Sequence, residues 1–102
     1  MALYKSYPKK GTTCKVTFEI PMEVTTGVKK IALVGDFNNW DTNAHILSRN
    51  KDGLYSITIA LEQGNEYQFR YLMDDFRWEN DWAADKYLPS SFANCDNSVV
   101  IV

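Results

Sequence analysis

The sequence predicts an all-β fold, a sandwich of about six to eight short strands. Three observations lead there. Apolar residues alternate with polar ones over several stretches, which turns one side of each strand towards a core. Clusters of Gly, Asn, Asp and Thr separate those stretches at regular intervals. No stretch reads as a convincing helix.

The elements follow in order. Met1 to Thr13 is polar and basic, with Pro8 and Gly11, and reads as a loosely held segment or an edge strand, so the sandwich proper occupies 14–102. In Lys15-Val16-Thr17-Phe18-Glu19-Ile20 every second residue is apolar, and Pro21 ends the strand. Thr25-Thr26-Gly27 is a turn and Lys30 to Val34 the second strand. His45 to Ser48 is a short strand, followed by a turn at Asn50 to Gly53. Leu54 to Leu61 alternates again, with Tyr55, Ile57, Ile59 and Leu61 on one face. Glu62 to Asn65 is a hairpin loop. Glu66 to Met73 points Tyr67, Phe69, Tyr71 and Met73 inward and Gln68 and Arg70 outward. Asp74-Asp75 is a tight turn before the return strand Phe76 to Glu79. Asn80 to Asn97 is polar and irregular, with one helical turn expected within Asp81 to Lys86. Ser98 to Val102 lacks alternation and is a buried strand.

Composition narrows the function. A chain of 102 residues with 45% hydrophobic and 24% charged residues is an ordinary single domain. A formal charge of -2 and a pI near 5.3 exclude the basic stripe that nucleic acid or an anionic membrane needs. No apolar leader follows Met1 and no stretch reaches the length of a membrane span, so the expected location is the cytoplasm. Cys14 and Cys95 are then two free thiols, with a disulfide between the first and last strands as the alternative. One histidine and two distant cysteines make no metal site, and no cofactor is implied.

The aromatic content, 14% with three Trp and six Tyr, exceeds what one small core needs. Val34-Gly35-Asp36-Phe37-Asn38-Asn39-Trp40-Asp41 shows where some of it goes. A glycine and two asparagines, residues that adopt backbone angles closed or costly to others, stop the strand abruptly. Trp40 is thereby carried on a loop, either offered as a flat binding surface or folded back as a core plug.

Catalysis is not expected. A glycosidase needs two carboxylates at a fixed separation in a cleft. Asp74, Asp75, Glu79, Asp81 and Asp85 read instead as turn and surface residues. Binding fits better. Arg70 points away from the core beside Trp78, and Asn97 precedes the last strand in a loop with Phe92 and Asn94. Indole faces suit the axial C–H face of a glucose ring, and a guanidinium and an amide suit its hydroxyls.

Gly35-Asp36-Phe37-Asn38-Asn39-Trp40 resembles the signature of the glycogen-binding module, the isoamylase N-terminal-like domain or carbohydrate-binding module family 48. That family occurs in the β-subunit of the AMP-activated kinase and ahead of the barrels of branching and debranching enzymes. Tyr67 to Asp74, Arg77-Trp78 with Asn80-Asp81, and Phe92 to Val100 resemble its later motifs in the same order. The resemblance implies an immunoglobulin-like, early-set sandwich that binds α-1,4-glucan such as glycogen, starch or maltooligosaccharide. It places Trp40 and Trp78 on the family's sugar-stacking tryptophans, Arg70 on its basic residue and Asn97 on its hydrogen-bonding asparagine. The apolar residue that inserts into the glucan falls near Phe92 or Ala93. Asp75 replaces the usual turn glycine, Asn94-Cys95 replaces two glycines, and Trp82 stands where many members have proline, adding surface or packing. Read as a stand-alone domain, the chain has an alternative function: an interaction module docking an enzyme of glycogen or starch metabolism. A glycoside hydrolase is not expected without a barrel.

Overall fold

A computed structural model describes residues 1–90 and 95–102. They form two antiparallel sheets packed face to face, the all-β sandwich expected. The first sheet has the order β1-β2-β5-β4: Ala2–Ser6, Thr13–Ile20, Tyr55–Glu62 and Ser48–Arg49. The second has the order β3-β6-β9-β8: Ile31–Gly35, Glu66–Met73, Asp96–Ile101 and Lys86–Pro89. A short β7, Arg77–Glu79, pairs with the end of β6 that β9 leaves uncovered.

Alternation does what it should. Val16, Phe18 and Ile20 of β2 are fully buried, as are Phe69 and Tyr71 of β6. Phe18 meets Phe69 edge-on at 5.1 Å between centroids, and Phe69 meets Tyr71 edge-on at 5.8 Å. These rings join Ile31 and Leu33 of β3 and Val100 of β9 into one core. Burying such side chains contributes roughly 1.5–3 kcal/mol each before entropy is counted.

The first residues take the second of the two forms expected for them, an edge strand, with Ala2 opposite Glu19 and Ser6 opposite Lys15. Several other details differ from the expectation. The His45–Ser48 stretch is divided between the sheets. Ile46 bridges Ala32 of β3, whereas Ser48 pairs with Ser56 of β5. No helical turn forms at Asp81 to Lys86; Asp81 is buried and its carboxylate takes the Ala83 N–H in a turn. The α-helix is Met22–Thr25, four residues after Pro21. The strand β8 was hidden in a stretch read as irregular, and Asn97 lies within β9 rather than before it.

The Asp74-Asp75 turn holds both residues at positive φ, 54° and 63°, the signature of the turns that match strand twist. Asp74 Oδ1 accepts the backbone N–H of Lys29 and of Lys30, each at 2.9 Å, which ties the turn to the start of β3. Cys14 is buried and Cys95 exposed, and no disulfide joins the two. Among the described residues no helix is long and apolar enough to cross a membrane.

Candidate functional site

Strand register fixes which side chains share the outer face of the second sheet. Val34 stands opposite Arg70 and Ala32 opposite Leu72. Leu72 stands opposite Trp78 across β7, and Asn97 opposite Leu88 across β8. Phe69 faces Ser98, so Arg70 and Asn97 are neighbours one position along. The residues between these (Leu33, Phe69, Tyr71) point into the core, so Arg70, Trp78 and Asn97 point outward together.

Over this face lies an open groove of about 630 Å³. Trp40 and Trp78 line it with Arg70, Gln68 and Asn97. Asp36 and Thr42 contribute from the loop after β3, and Pro89, Ser90 and Cys95 from the connection between β8 and β9. Four of the five residues that the sequence singled out thus meet in one place. Phe92, like Ala93, lies outside the described residues.

The loop after β3 builds one side. Gly35 is needed there, but not for unusual backbone angles: its φ of -171° is extended. A Cβ at this position would lie 2.5 Å from the Gln68 carbonyl oxygen and 2.8 Å from the Phe69 Cβ, so only glycine lets β3 approach β6 this closely. A single 3-10 turn, Asp36–Asn38, follows. Phe37 turns inward, 6.1 Å from Phe18 and 6.4 Å from Phe69 between ring centroids. Asn38 works for the backbone: its Oδ1 accepts the Gly35 N–H at 3.1 Å and its Nδ2 donates to the Leu33 carbonyl at 2.9 Å. Asn39 and Trp40 then both take left-handed conformations, at φ 57° and 59°. For a residue as bulky as tryptophan this costs about 1–3 kcal/mol and persists only where neighbours enforce it.

Those neighbours are specific. The Trp40 backbone N–H donates to the Gly35 carbonyl at 2.9 Å. Its indole Nε1–H donates to Asp36 Oδ1 at 3.0 Å, and Asp36 Oδ2 accepts the Gln68 backbone N–H at 2.8 Å. One part of the ring packs on Ala32, Val34 and Leu72, and the rest lines the groove. Trp40 is therefore both a packed residue and a groove wall. Trp78 remains 43% exposed on β7.

The same groove carries a polar strip. Arg70 Nε donates to Asn97 Oδ1 at 2.6 Å, and Nη2 donates to Cys95 Sγ at 2.9 Å. The guanidinium carbon sits 6.0 Å from the Trp78 ring centroid, within cation–π range. Asn97, only 6% exposed, donates through Nδ2 to Gln68 Oε1 at 3.0 Å. Its amide therefore orients Arg70 and Gln68 from beneath. Gln68 and Asp36 lie among the groove residues to which sequence reasoning gave no role. The outward position of Gln68, two residues before Arg70, and the i, i+4 spacing of Asp36 and Trp40 were the available signals.

Asp74, Asp75, Glu79, Asp81 and Asp85, the acids weighed for catalysis, do not line the groove. Asp81 was read as a surface or turn residue, yet it is fully buried. Its Oδ2 accepts the Tyr71 hydroxyl at 2.7 Å, its Oδ1 the Ala83 N–H at 2.8 Å, and its own N–H donates to Ser98 Oγ at 2.8 Å. Burial raises its pKa above the ordinary carboxylate value, against the pull of the Tyr71 and Ala83 hydrogen bonds. Burial, then the Asp81 charge, pushes the Tyr71 phenol well above its usual value. Asp85 pairs with Lys5 at 2.7 Å, Asp75 with Lys30 at 3.1 Å and Glu79 with Arg77 at 3.3 Å.

The family model for carbohydrate-binding module 48 (isoamylase N-terminal domain) matches residues 25–88, which include Trp40, Arg70 and Trp78. The chain is 50% identical over 46 residues to a 1,4-alpha-glucan-branching enzyme of Debaryomyces hansenii, a match covering 44% of this chain and 6% of that enzyme. It is 38% identical over 58 residues to 1,4-alpha-glucan-branching enzyme 2-2, chloroplastic/amyloplastic, of Arabidopsis thaliana, covering 57% and 7%. Against a 1,4-alpha-glucan-branching enzyme of Saccharomyces cerevisiae it is 42% identical over 60 residues, covering 57% and 8%. The matched stretch thus spans less than a tenth of each relative. With Trp40 and Trp78 on one face of an all-β sandwich, and the family model matched over most of its length, the chain belongs to carbohydrate-binding module family 48, the isoamylase N-terminal domains.

Proposed function

We propose that the chain binds α-1,4-glucan (glycogen, starch or a maltooligosaccharide) without acting on it, by stacking glucose rings on Trp40 and Trp78. One observation carries this reading: both indoles line the same groove as the Arg70 guanidinium, which Asn97 holds. Indole faces cover the apolar face of a pyranose, and Arg70 and Gln68 supply donors and an acceptor for hydroxyls. The names of the relatives, all 1,4-alpha-glucan-branching enzymes, favour this class of sugar. The non-catalytic part of the proposal draws support from the acids, since Asp81 is buried and Asp85, Asp75 and Glu79 are ion-paired.

Two stacked rings and a few exposed hydrogen bonds amount to roughly 5 kcal/mol, a sub-millimolar dissociation constant. On a polymer with many chain ends, avidity raises the apparent strength. The test is native electrophoresis through gels containing glycogen or amylose. The wild type is expected to be retarded and Trp78→Ala to migrate as in plain gels. A folded wild type that migrates freely at any polysaccharide concentration would contradict the proposal. It would favour protein docking instead, for which Phe76 and Trp82, 78% and 60% exposed, offer apolar contact.

A further inference from the structure

We propose that Asp36 is a positioning residue for Trp40: its carboxylate fixes the plane of the indole before any sugar arrives. This rests on the glucan-binding reading and assigns a residue that acts through the stacking surface rather than on the ligand.

Two independent observations converge on it. The first is backbone strain. Asn39 and Trp40 are consecutive left-handed residues, and a tryptophan holds that conformation only where its surroundings over-determine it. The second is the use of both carboxylate oxygens. Oδ1 takes the indole N–H and Oδ2 takes the backbone N–H of Gln68 on β6, so one side chain ties the tip of the loop to the sheet beneath it. An ionised carboxylate suits that task because it accepts at both oxygens, whereas an amide would turn a donor towards one of the two N–H groups. Asp36 is itself exposed, so it holds the loop without being a core residue.

The arrangement also divides the labour of the groove. The indole N–H of Trp40 is already spent on Asp36, so this ring gives a sugar its face and no hydrogen bond. Hydroxyl recognition then falls to the strip of Arg70 and Gln68. A ring held in place in advance loses little freedom on binding, which is how preorganisation raises affinity without adding a contact.

A double-mutant cycle tests the assignment by calorimetric titration with maltoheptaose. Wild type, Asp36→Asn, Trp40→Phe and the double variant are compared; phenylalanine keeps a stacking face and lacks the N–H. Asp36→Asn is expected to weaken binding about fivefold in the wild type and less than about twofold in the Trp40→Phe background. An equal loss in both backgrounds, or no loss in either, overturns the positioning role and leaves glucan binding intact. A folded wild type that binds no maltoheptaose overturns both. Hydrogen exchange of the indole N–H groups in the free wild type provides a second measure that needs no variant. Trp40 should exchange more slowly than Trp78 and Trp82; equal rates would also overturn the role.

Discussion

The outer faces of the two sheets are built by the same alternation and carry opposite chemistry. On the first sheet Tyr4, Thr17 and Thr58 form a row across three strands, and the two threonine hydroxyls bond to each other at 2.7 Å. Around them stand Lys15, Glu19, Ser56 and Ala60, mostly short or charged. A depression of about 300 Å³ near Pro8 and Lys10 has no aromatic lining. On the second sheet the equivalent rows hold Val34, Arg70 and Asn97, then Ala32, Leu72 and Trp78, and the loop after β3 packs Trp40 on Ala32, Val34 and Leu72. The core needs both sheets, but only one presents rings over a fixed polar strip. In this sandwich the candidate site is a property of one face.

The contrast can be broken most severely at Gly35. Gly35→Ala would push β3 away from β6, because the new Cβ has 2.5 Å to a backbone oxygen. A loss of about 3 kcal/mol in denaturant unfolding is expected, together with loss of glucan retention. An unchanged midpoint would show that the close approach is not required.

The next effect separates the faces directly. Trp78→Ala should weaken maltoheptaose binding at least about tenfold, or about 1.4 kcal/mol, with little change in thermal midpoint. Tyr4→Ala removes an even more exposed ring, 55% against 43%, from the first sheet and should leave binding unchanged. Equal losses would mean that both faces bind.

A smaller effect lies between the sheets. The pKa of Asp81 is raised in the folded protein, so the folded state holds its proton at pH values where the unfolded chain has released it. Its stabilising contribution is full below the ordinary carboxylate range, falls as pH rises through the raised folded value, and is flat above it. Urea unfolding from pH 4 to 7 should show this decline in the wild type and not in Asp81→Asn. A matching slope in both would assign it to other groups.

The smallest effect is expected on the polar face. Thr17→Val with Thr58→Val should change stability by less than about 0.5 kcal/mol and sugar binding not at all. A loss of binding would contradict the assignment of function to the second sheet.

Much of this was legible in the sequence, for identifiable reasons. The strands β2, β5 and β6 alternate and face one core, so their boundaries and inward residues could be read from period alone. Trp40, Arg70 and Trp78 could be placed because a loop signal and an outward strand position are local. What escaped was non-local. The strand β8, Lys86–Pro89, is short and ends in proline, and exists because β9 pairs with it. Asp81 looks like any turn aspartate, and the partners that hold it buried, the Tyr71 hydroxyl on β6 and the Ser98 Oγ on β9, are distant in sequence. Gly35 was recognised as necessary for the wrong reason, since the constraint lies in β6 rather than in its own backbone angles. The Asp36 bridge likewise depends on Gln68, distant in sequence.

The most direct test of the central claim is a heteronuclear NMR titration of the labelled protein with maltoheptaose. Saturable shifts are expected at the indole N–H of Trp78, at Trp40 and at the amides of Arg70 and Asn97, with Thr17 and Thr58 unmoved. Shifts concentrated on Tyr4, Thr17 and Thr58, or none at millimolar sugar, would contradict the assignment of glucan binding to the second sheet.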